Sequence, residues 1–158
     1  MTRITMMALG SRGDVQPYIA LGRALADAGY TVRVATFRAF EPLVRELGLD
    51  YHLVEGDAEA LVQSAMANGM NTRKPLKLMQ ALRESYGTLS SAFERAFLAE
   101  TLRDSDLILN QLPGGAYGRD LAEKLRIPHI AVTVIPLTPT RAFPTPLLAA
   151  RSFGGVLN

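Results

Sequence analysis

The start of the chain restricts its fold more than any other feature. Residues Ile4 to Leu9 form a short, largely apolar run, which is typical of a strand buried on both faces of a sheet. The turn Gly10-Ser11-Arg12-Gly13-Asp14 follows, and we predict a helix from Val15 to Ala28, capped by Asp14 and ended by Gly29. A buried strand that passes through a tight turn into a helix is typical of a parallel α/β sheet.

The same alternation continues along the chain. Apolar and β-branched runs, which favour strands, alternate with amphipathic stretches, which favour helices. We predict further strands at Thr31 to Phe37, Tyr51 to Val54, Asp106 to Asn110 and Pro128 to Ile135, and further helices at Glu41 to Leu47, Asp57 to Met66, Pro75 to about Leu102 (one bent helix or two) and Tyr117 to Leu125. The fold class is therefore α/β, with a doubly wound, Rossmann-like parallel sheet of at least five strands in the order 3-2-1-4-5.

The last part of the chain has a different character. Residues 136–158 contain four prolines and end in a glycine-containing segment with no closing element. We therefore divide the chain into a Rossmann-like domain at residues 1–135 and a proline-rich loop at residues 136–158. We expect that loop to lead towards a further domain.

The composition argues against several functional classes. The net charge is +2 and the basic residues are scattered, so we expect no nucleic-acid partner. Cysteine is absent and the two imidazoles, His52 and His129, are far apart in sequence, so we predict no metal site. The segment before the first strand is too short for a signal peptide or a membrane span. We expect a cytoplasmic protein and leave contact with a membrane surface open.

Asp14 has two interpretations on the residues alone. Ligands of open parallel sheets bind at the carboxyl ends of the strands, beside helix N-termini. The glycines of the turn let a ligand approach closely, and a carboxylate there could accept the proton of a substrate hydroxyl as a general base. Aspartate is also a common N-cap, whose charge the helix dipole stabilises without any reaction. The spacing of these residues alone does not distinguish a general base from an N-cap.

Two separated segments carry a family resemblance. The first runs from Gly10 to Gly22 and continues from Gly29 to Thr36; the second runs from Ala122 to His129 and continues from Pro136 to Pro144. Both closely resemble the sterol 3-β-glucosyltransferases and the related enzymes that glycosylate glycopeptide and macrolide antibiotics. With Gly56-Asp57 after the third strand, the similarity spans essentially all 158 residues.

The resemblance implies a GT-B fold, in which two Rossmann-like domains face each other. The N-terminal domain holds the acceptor and the C-terminal domain holds the nucleotide-sugar. The residue that matches the family's base is Asp14, which would activate the acceptor hydroxyl for displacement of the nucleoside diphosphate with inversion and without a metal. The donor-binding motif has no counterpart here, so we expect no cofactor on this chain, a C-terminal donor domain as its partner, and little activity of the chain alone.

The resemblance also implies a set of acceptor-binding positions around Asp14. We predict contacts to the acceptor, a lipophilic small molecule, from Ser11, Arg12, Gly13, Asn110, Gly114, Pro136 and Thr138. In many relatives a histidine replaces the aspartate and is backed by an aspartate at the end of the fourth strand. The matching position here is about Asn110, so that pair is not reproduced.

Three alternatives remain open. An NADP-binding oxidoreductase would use Arg38 for a 2′-phosphate, but the spacing of Gly10 and Gly13 does not match a dinucleotide turn. A non-catalytic lipid-binding or partner subunit with half a GT-B fold is compatible with every residue. Met66, Met70 and Met79 could line an adaptable lipid pocket or pack in an ordinary core.

Overall fold

The protein is described from a computed structural model. The structure describes residues 1–57, 60, 63, 102–111, 115–135, 140 and 142–143. Five strands and three helices are found there: β1 at Arg3–Met7, α1 at Arg12–Asp27, β2 at Thr31–Phe37, α2 at Glu41–Glu46, β3 at Asp50–Val54, β4 at Leu107–Asn110, α3 at Gly115–Leu125 and β5 at His129–Ala131. A short 3-10 turn, Arg38–Phe40, joins β2 to α2.

The five strands form one parallel sheet in the order β3-β2-β1-β4-β5. The predicted fold class and strand order are confirmed. Met7 at the end of β1 lies between Ala35 of β2 and Asn110 of β4. The carboxyl end of β1 therefore lies in the middle of the sheet. Strands are added on one side of β1 up to β3 and on its other side from β4 onwards, and α/β sheets bind ligands where the strand order reverses in this way.

Side chains of a strand alternate between the two faces of the sheet. Here the side chains on both faces are buried. On one face Ile4 and Met6 of β1 pack with Val15 and Ile19 of α1. On the other face Met7 packs in a cluster that includes Phe37, Ile108, Leu121 and Ala122. Helices α1 and α3 thus contribute to different cores, as expected for a doubly wound sheet.

Two predicted elements differ from the structure by three residues or more at one end. Helix α1 begins at Arg12 rather than Val15, and its N-cap is Ser11, so the prediction that Asp14 is the N-cap is wrong. Strand β5 ends at Ala131 rather than Ile135. The last backbone bond on this side runs from the Val132 N–H to the Asn110 carbonyl, and β4 ends there. Beyond that point no described strand lies beside β5.

Several predictions fall wholly or largely outside the described residues. Of the predicted helix at Asp57 to Met66, only Asp57, Ala60 and Gln63 are described, and the last two are helical. The predicted helix from Pro75 to about Leu102, apart from Leu102, and the methionines of the proposed lipid pocket lie outside. The division of the chain at residue 135 remains a prediction.

An ion-pair cluster ties the strands together at the amino-terminal edge of the sheet. Asp104, just before β4, pairs with Arg3 of β1 and with Arg33 of β2, at 2.9 Å in the second case. Its hydrogen bond to Arg33 holds the pKa of the Asp104 carboxyl below its usual range. Below it the Thr5 and Ser105 hydroxyls are hydrogen-bonded at 2.7 Å. These charges lie at the edge opposite the turn that carries Asp14.

Candidate functional site

The candidate site is the turn between β1 and α1, at the carboxyl end of the central strand. Gly10 has a φ of +124°, which L side chains rarely adopt. A Cβ at Gly10 would lie 2.5 Å from Asp14 Oδ2, far inside normal contact distance. The missing side chain thus gives the Asp14 carboxylate its place against the backbone of the turn.

The Asp14 carboxylate is held by two hydrogen bonds from one residue. The Ser11 backbone N–H and the Ser11 hydroxyl both donate to Asp14 Oδ2, each at 2.8 Å. Ser11 is the N-cap and Asp14 is the third residue of the helix, the arrangement of a capping box. Asp14 is half-buried, and no described residue makes a hydrogen bond to its Oδ1. One carboxylate oxygen is thus fixed, while the other is not used within the described part of the chain.

Arg12 and Gly13 lie on the exposed side of the turn. Arg12 Nε donates to Gln16 Oε1 at 3.3 Å, so its partner is an amide of the same helix. A Cβ at Gly13 would meet only Ser11 Oγ, at an ordinary 3.6 Å. Ser11, Arg12 and Gly13 therefore lie together beside Asp14, as four consecutive residues of one turn.

Asn110 is fully buried at the end of β4, and both polar atoms of its side chain are bonded within the protein. Its Oδ1 accepts a hydrogen bond from His129 Nε2, and its Nδ2 donates to the Gln111 carbonyl at 3.3 Å. Gly118 of α3 lies against it, because a Cβ there would be 2.7 Å from Asn110 Cγ. Asn110 thus forms a packed contact between β4, β5 and α3.

Gln111 is a residue of this site that sequence reasoning missed. It follows β4, is 2% exposed, and its Nε2 donates to the Leu9 carbonyl at 2.9 Å, one residue before the turn. Its Oε1 is buried with no hydrogen-bond partner among the described residues. The signal available in the sequence was the pair of adjacent amides, Asn110 and Gln111, whose side chains must point to opposite faces.

Tyr18 connects α1 to the far side of the site. It is 1% exposed, and its hydroxyl donates a hydrogen bond to the Val132 carbonyl just after β5. Burial raises the pKa of the Tyr18 hydroxyl above its ordinary value of 10.0. The second turn of the first helix is therefore bonded to the segment that follows β5.

The remaining predicted contacts, Gly114, Pro136 and Thr138, lie outside the described residues. Within the described part of the chain, no three His, Asp or Glu side chains are close enough together to hold a metal ion. No helix in that part is both long enough and apolar enough to span a membrane.

Comparison with solved structures gives the class of protein. SsfS6, a glycosyltransferase of a Streptomyces species, superposes with a TM-score of 0.68 and 26% identity over 91% of this chain and 41% of its own. The calicheamicin glycosyltransferase superposes with a TM-score of 0.62 at 19% identity, which speaks for the fold alone. The chain has the Rossmann-like N-terminal half of a GT-B fold.

Comparison of sequences gives the family. Residues 4–144 match the N-terminal domain of glycosyltransferase family 28, and the chain belongs to that family. Sterol 3-beta-glucosyltransferases of Aspergillus terreus and Aspergillus fumigatus are 38% and 40% identical over 99% and 90% of this chain. The chain spans 11% and 10% of the length of those two relatives. The family resemblance inferred from the sequence is confirmed.

Proposed function

We propose that this chain is the acceptor-binding domain of an inverting glycosyltransferase. The enzyme moves a hexose from a nucleoside-diphosphate sugar to a hydroxyl of a lipophilic acceptor. The observation that carries the proposal is the Asp14 carboxylate, fixed at the carboxyl end of the central strand in a family 28 domain. In this proposal the donor is bound by a second domain outside this chain, and the 41% coverage of the SsfS6 chain leaves room for one.

Asp14 is suited to act as the general base. Its Oδ2 is engaged by Ser11, which fixes the direction of the whole carboxylate. The other oxygen can accept the proton of the acceptor hydroxyl while the hydroxyl oxygen bonds to the anomeric carbon. The bond from that carbon to the diphosphate breaks at the same time, and inversion follows because attack and departure occur on opposite faces. A fixed base of this kind contributes on the order of 100- to 10,000-fold in rate.

The acceptor class rests on the relatives. The two relatives from Aspergillus are named as sterol 3-beta-glucosyltransferases, and SsfS6 is also solved with thymidine diphosphate. We propose a sterol, another lipid or a natural-product aglycone as the acceptor. The residues that we predict to contact it are Ser11, Arg12, Gly13, Asn110, Gly114, Pro136 and Thr138. A cytoplasmic location and contact with a membrane surface stay predictions, which cell fractionation would test.

Substitution of Asp14 tests the proposal. Asp14→Asn in the full-length protein keeps an oxygen that accepts from the Ser11 N–H, so the free energy of unfolding should fall by less than about 1 kcal/mol. Turnover should fall by on the order of 100- to 10,000-fold, because an amide cannot take up the proton. Acceptor binding should persist. The measurements are sugar transfer from UDP-glucose to a sterol and thermal unfolding of the same preparation.

Asp27→Asn is the matched control, since Asp27 is an exposed aspartate at the other end of α1, paired with Arg23. It should leave both turnover and stability unchanged. An Asp14→Asn protein that is folded and transfers sugar at the wild-type rate would reduce Asp14 to a capping residue and overturn the proposed role.

A further inference from the structure

We propose that Gln111 is a positioning residue for Asp14, which it holds through the backbone of the turn. This inference rests on the proposed function of Asp14, but its structural part can be tested without any activity. The evidence is the hydrogen bond from Gln111 Nε2 to the Leu9 carbonyl, together with the positions of the two bonds that Asp14 accepts.

Gln111 continues the bonding of the sheet beyond the point where the strands stop pairing. Backbone pairing of β1 with β4 ends at Met7 and Asn110. The Ala8 N–H still donates to Ala35 of β2, at 3.0 Å. One residue further, the Leu9 carbonyl receives a side-chain amide in place of a backbone N–H. The last residue before the turn is thus held by Gln111.

The two peptide groups on either side of Gly10 are each fixed by a different side chain. The Leu9–Gly10 peptide is held at its carbonyl by Gln111 Nε2, and the Gly10–Ser11 peptide is held at its N–H by Asp14 Oδ2. Gly10 itself does not restrict the backbone of the turn, because glycine has no Cβ and adopts positive and negative φ about equally readily. Loss of the first bond therefore allows the second peptide, and with it the Asp14 carboxylate, to change direction.

The amide at this position is not explained by packing. A buried oxygen without a partner costs free energy, and Gln111 Oε1 has none among the described residues. A methionine would fill nearly the same volume without that cost. The bond to Leu9 is the feature of Gln111 that a methionine cannot reproduce, because its thioether carries no donor.

Gln111→Met in the full-length protein is the test. Hydrogen exchange of the Ser11 amide, whose N–H bonds Asp14, should become about 10-fold faster, because the turn opens locally more often. Amides of β3 should exchange as in the wild type. In steady-state transfer kcat should fall roughly 10- to 100-fold with KM for the donor unchanged, as expected for a misdirected base. The melting temperature should change little.

The matched control is Val44→Ala, a buried residue of α2 outside the turn. It should lower the melting temperature and leave kcat and Ser11 exchange unchanged, so general destabilisation is separated from loss of position. Unchanged Ser11 exchange in Gln111→Met overturns the inference. Faster exchange with unchanged kcat means that Gln111 positions the turn but that the turn does not direct the base. If Asp14→Asn is itself fully active, the proposed function has failed, and the exchange measurement still decides whether Gln111 holds the turn.

Discussion

At the scale of single residues, the turn depends on Gly10. Its φ of +124° is costly for any other residue, and a Cβ would lie 2.5 Å from Asp14 Oδ2. Gly10→Ala should therefore lower the free energy of unfolding by about 1–3 kcal/mol, the usual cost of such strain. It should also reduce turnover, because the carboxylate must move away. Chemical denaturation and a transfer assay on the full-length protein would check this.

Gly13→Ala is the control for that substitution, since it adds the same methyl group to the same turn. A Cβ at Gly13 lies at an ordinary contact distance, within the first turn of α1. Alanine favours helix over glycine by about 1 kcal/mol in a helix interior, and by less near an end. Gly13→Ala should thus leave stability equal or slightly higher. If both variants lose the same stability, the strain assigned to Gly10 is wrong.

The sequence predicts a functional residue at the end of β4, Asn110, whereas its neighbour Gln111 is the residue that reaches the turn. The family resemblance singles out Asn110, as the position that matches the aspartate at the end of the fourth strand in relatives, and the structure shows that Asn110 bonds His129 and the Gln111 carbonyl. Gln111 reaches Leu9 instead. Strand alternation says that the two amides point in opposite directions, but not which one faces β1. That depends on the twist and register of the sheet, which two adjacent letters do not contain.

At the scale of elements, Tyr18 fixes α1 to the segment after β5. Tyr18→Phe should cost about 0.5–1.5 kcal/mol, the usual net worth of one hydrogen bond. Because burial raises the Tyr18 pKa above its ordinary 10.0, the folded state keeps the proton that the unfolded state releases. The stabilisation by the hydroxyl is therefore complete below pH 10 and is lost as pH rises beyond it. Unfolding in urea at pH 8 and pH 11 should show a smaller wild-type advantage at the higher pH.

The control for Tyr18→Phe is Tyr30→Phe, at a tyrosine that is 41% exposed. It removes the same hydroxyl and should leave stability unchanged at both pH values. A wild-type advantage over Tyr18→Phe that stays constant between pH 8 and pH 11 would contradict the assignment.

Most element boundaries lie within two residues of the prediction, and the two that differ by more have physical reasons. Strand β2 has the predicted bounds, Thr31–Phe37, since β-branched residues there are followed by a turn. Helix α1 begins three residues early because serine and aspartate are both good N-caps, and the capping box uses both. The apolar run after Pro128 continues to Ile135, but strand β5 extends only as far as its neighbour, β4. The residues of a segment determine how readily it forms a strand, but the strand extends only where a neighbouring strand provides backbone hydrogen bonds.

At the scale of the whole molecule, this chain matches a family 28 N-terminal domain and covers 41% of the SsfS6 chain. The 158-residue chain should fold alone, because its sheet is buried on both faces by its own helices. It should bind UDP-glucose only weakly and transfer no sugar, since we propose that a second domain binds the donor. Calorimetric titration with UDP-glucose and a transfer assay test this. Tight binding by the isolated chain would show that part of the donor site lies on this domain.

The close approach of α3 to β4 restricts how this domain can vary. Position 118 cannot change unless position 110 has changed first, because any side chain at Gly118 would overlap the buried Asn110. In a saturation library, substitutions at residue 118 should survive only in combination with a smaller residue at 110, which gives up the bond to His129. The order of mutation therefore matters: the amide has to be lost before the glycine can be replaced, and the opposite order passes through a poorly folded intermediate. Because of this single contact, evolution can replace the two residues in one order but not in the other.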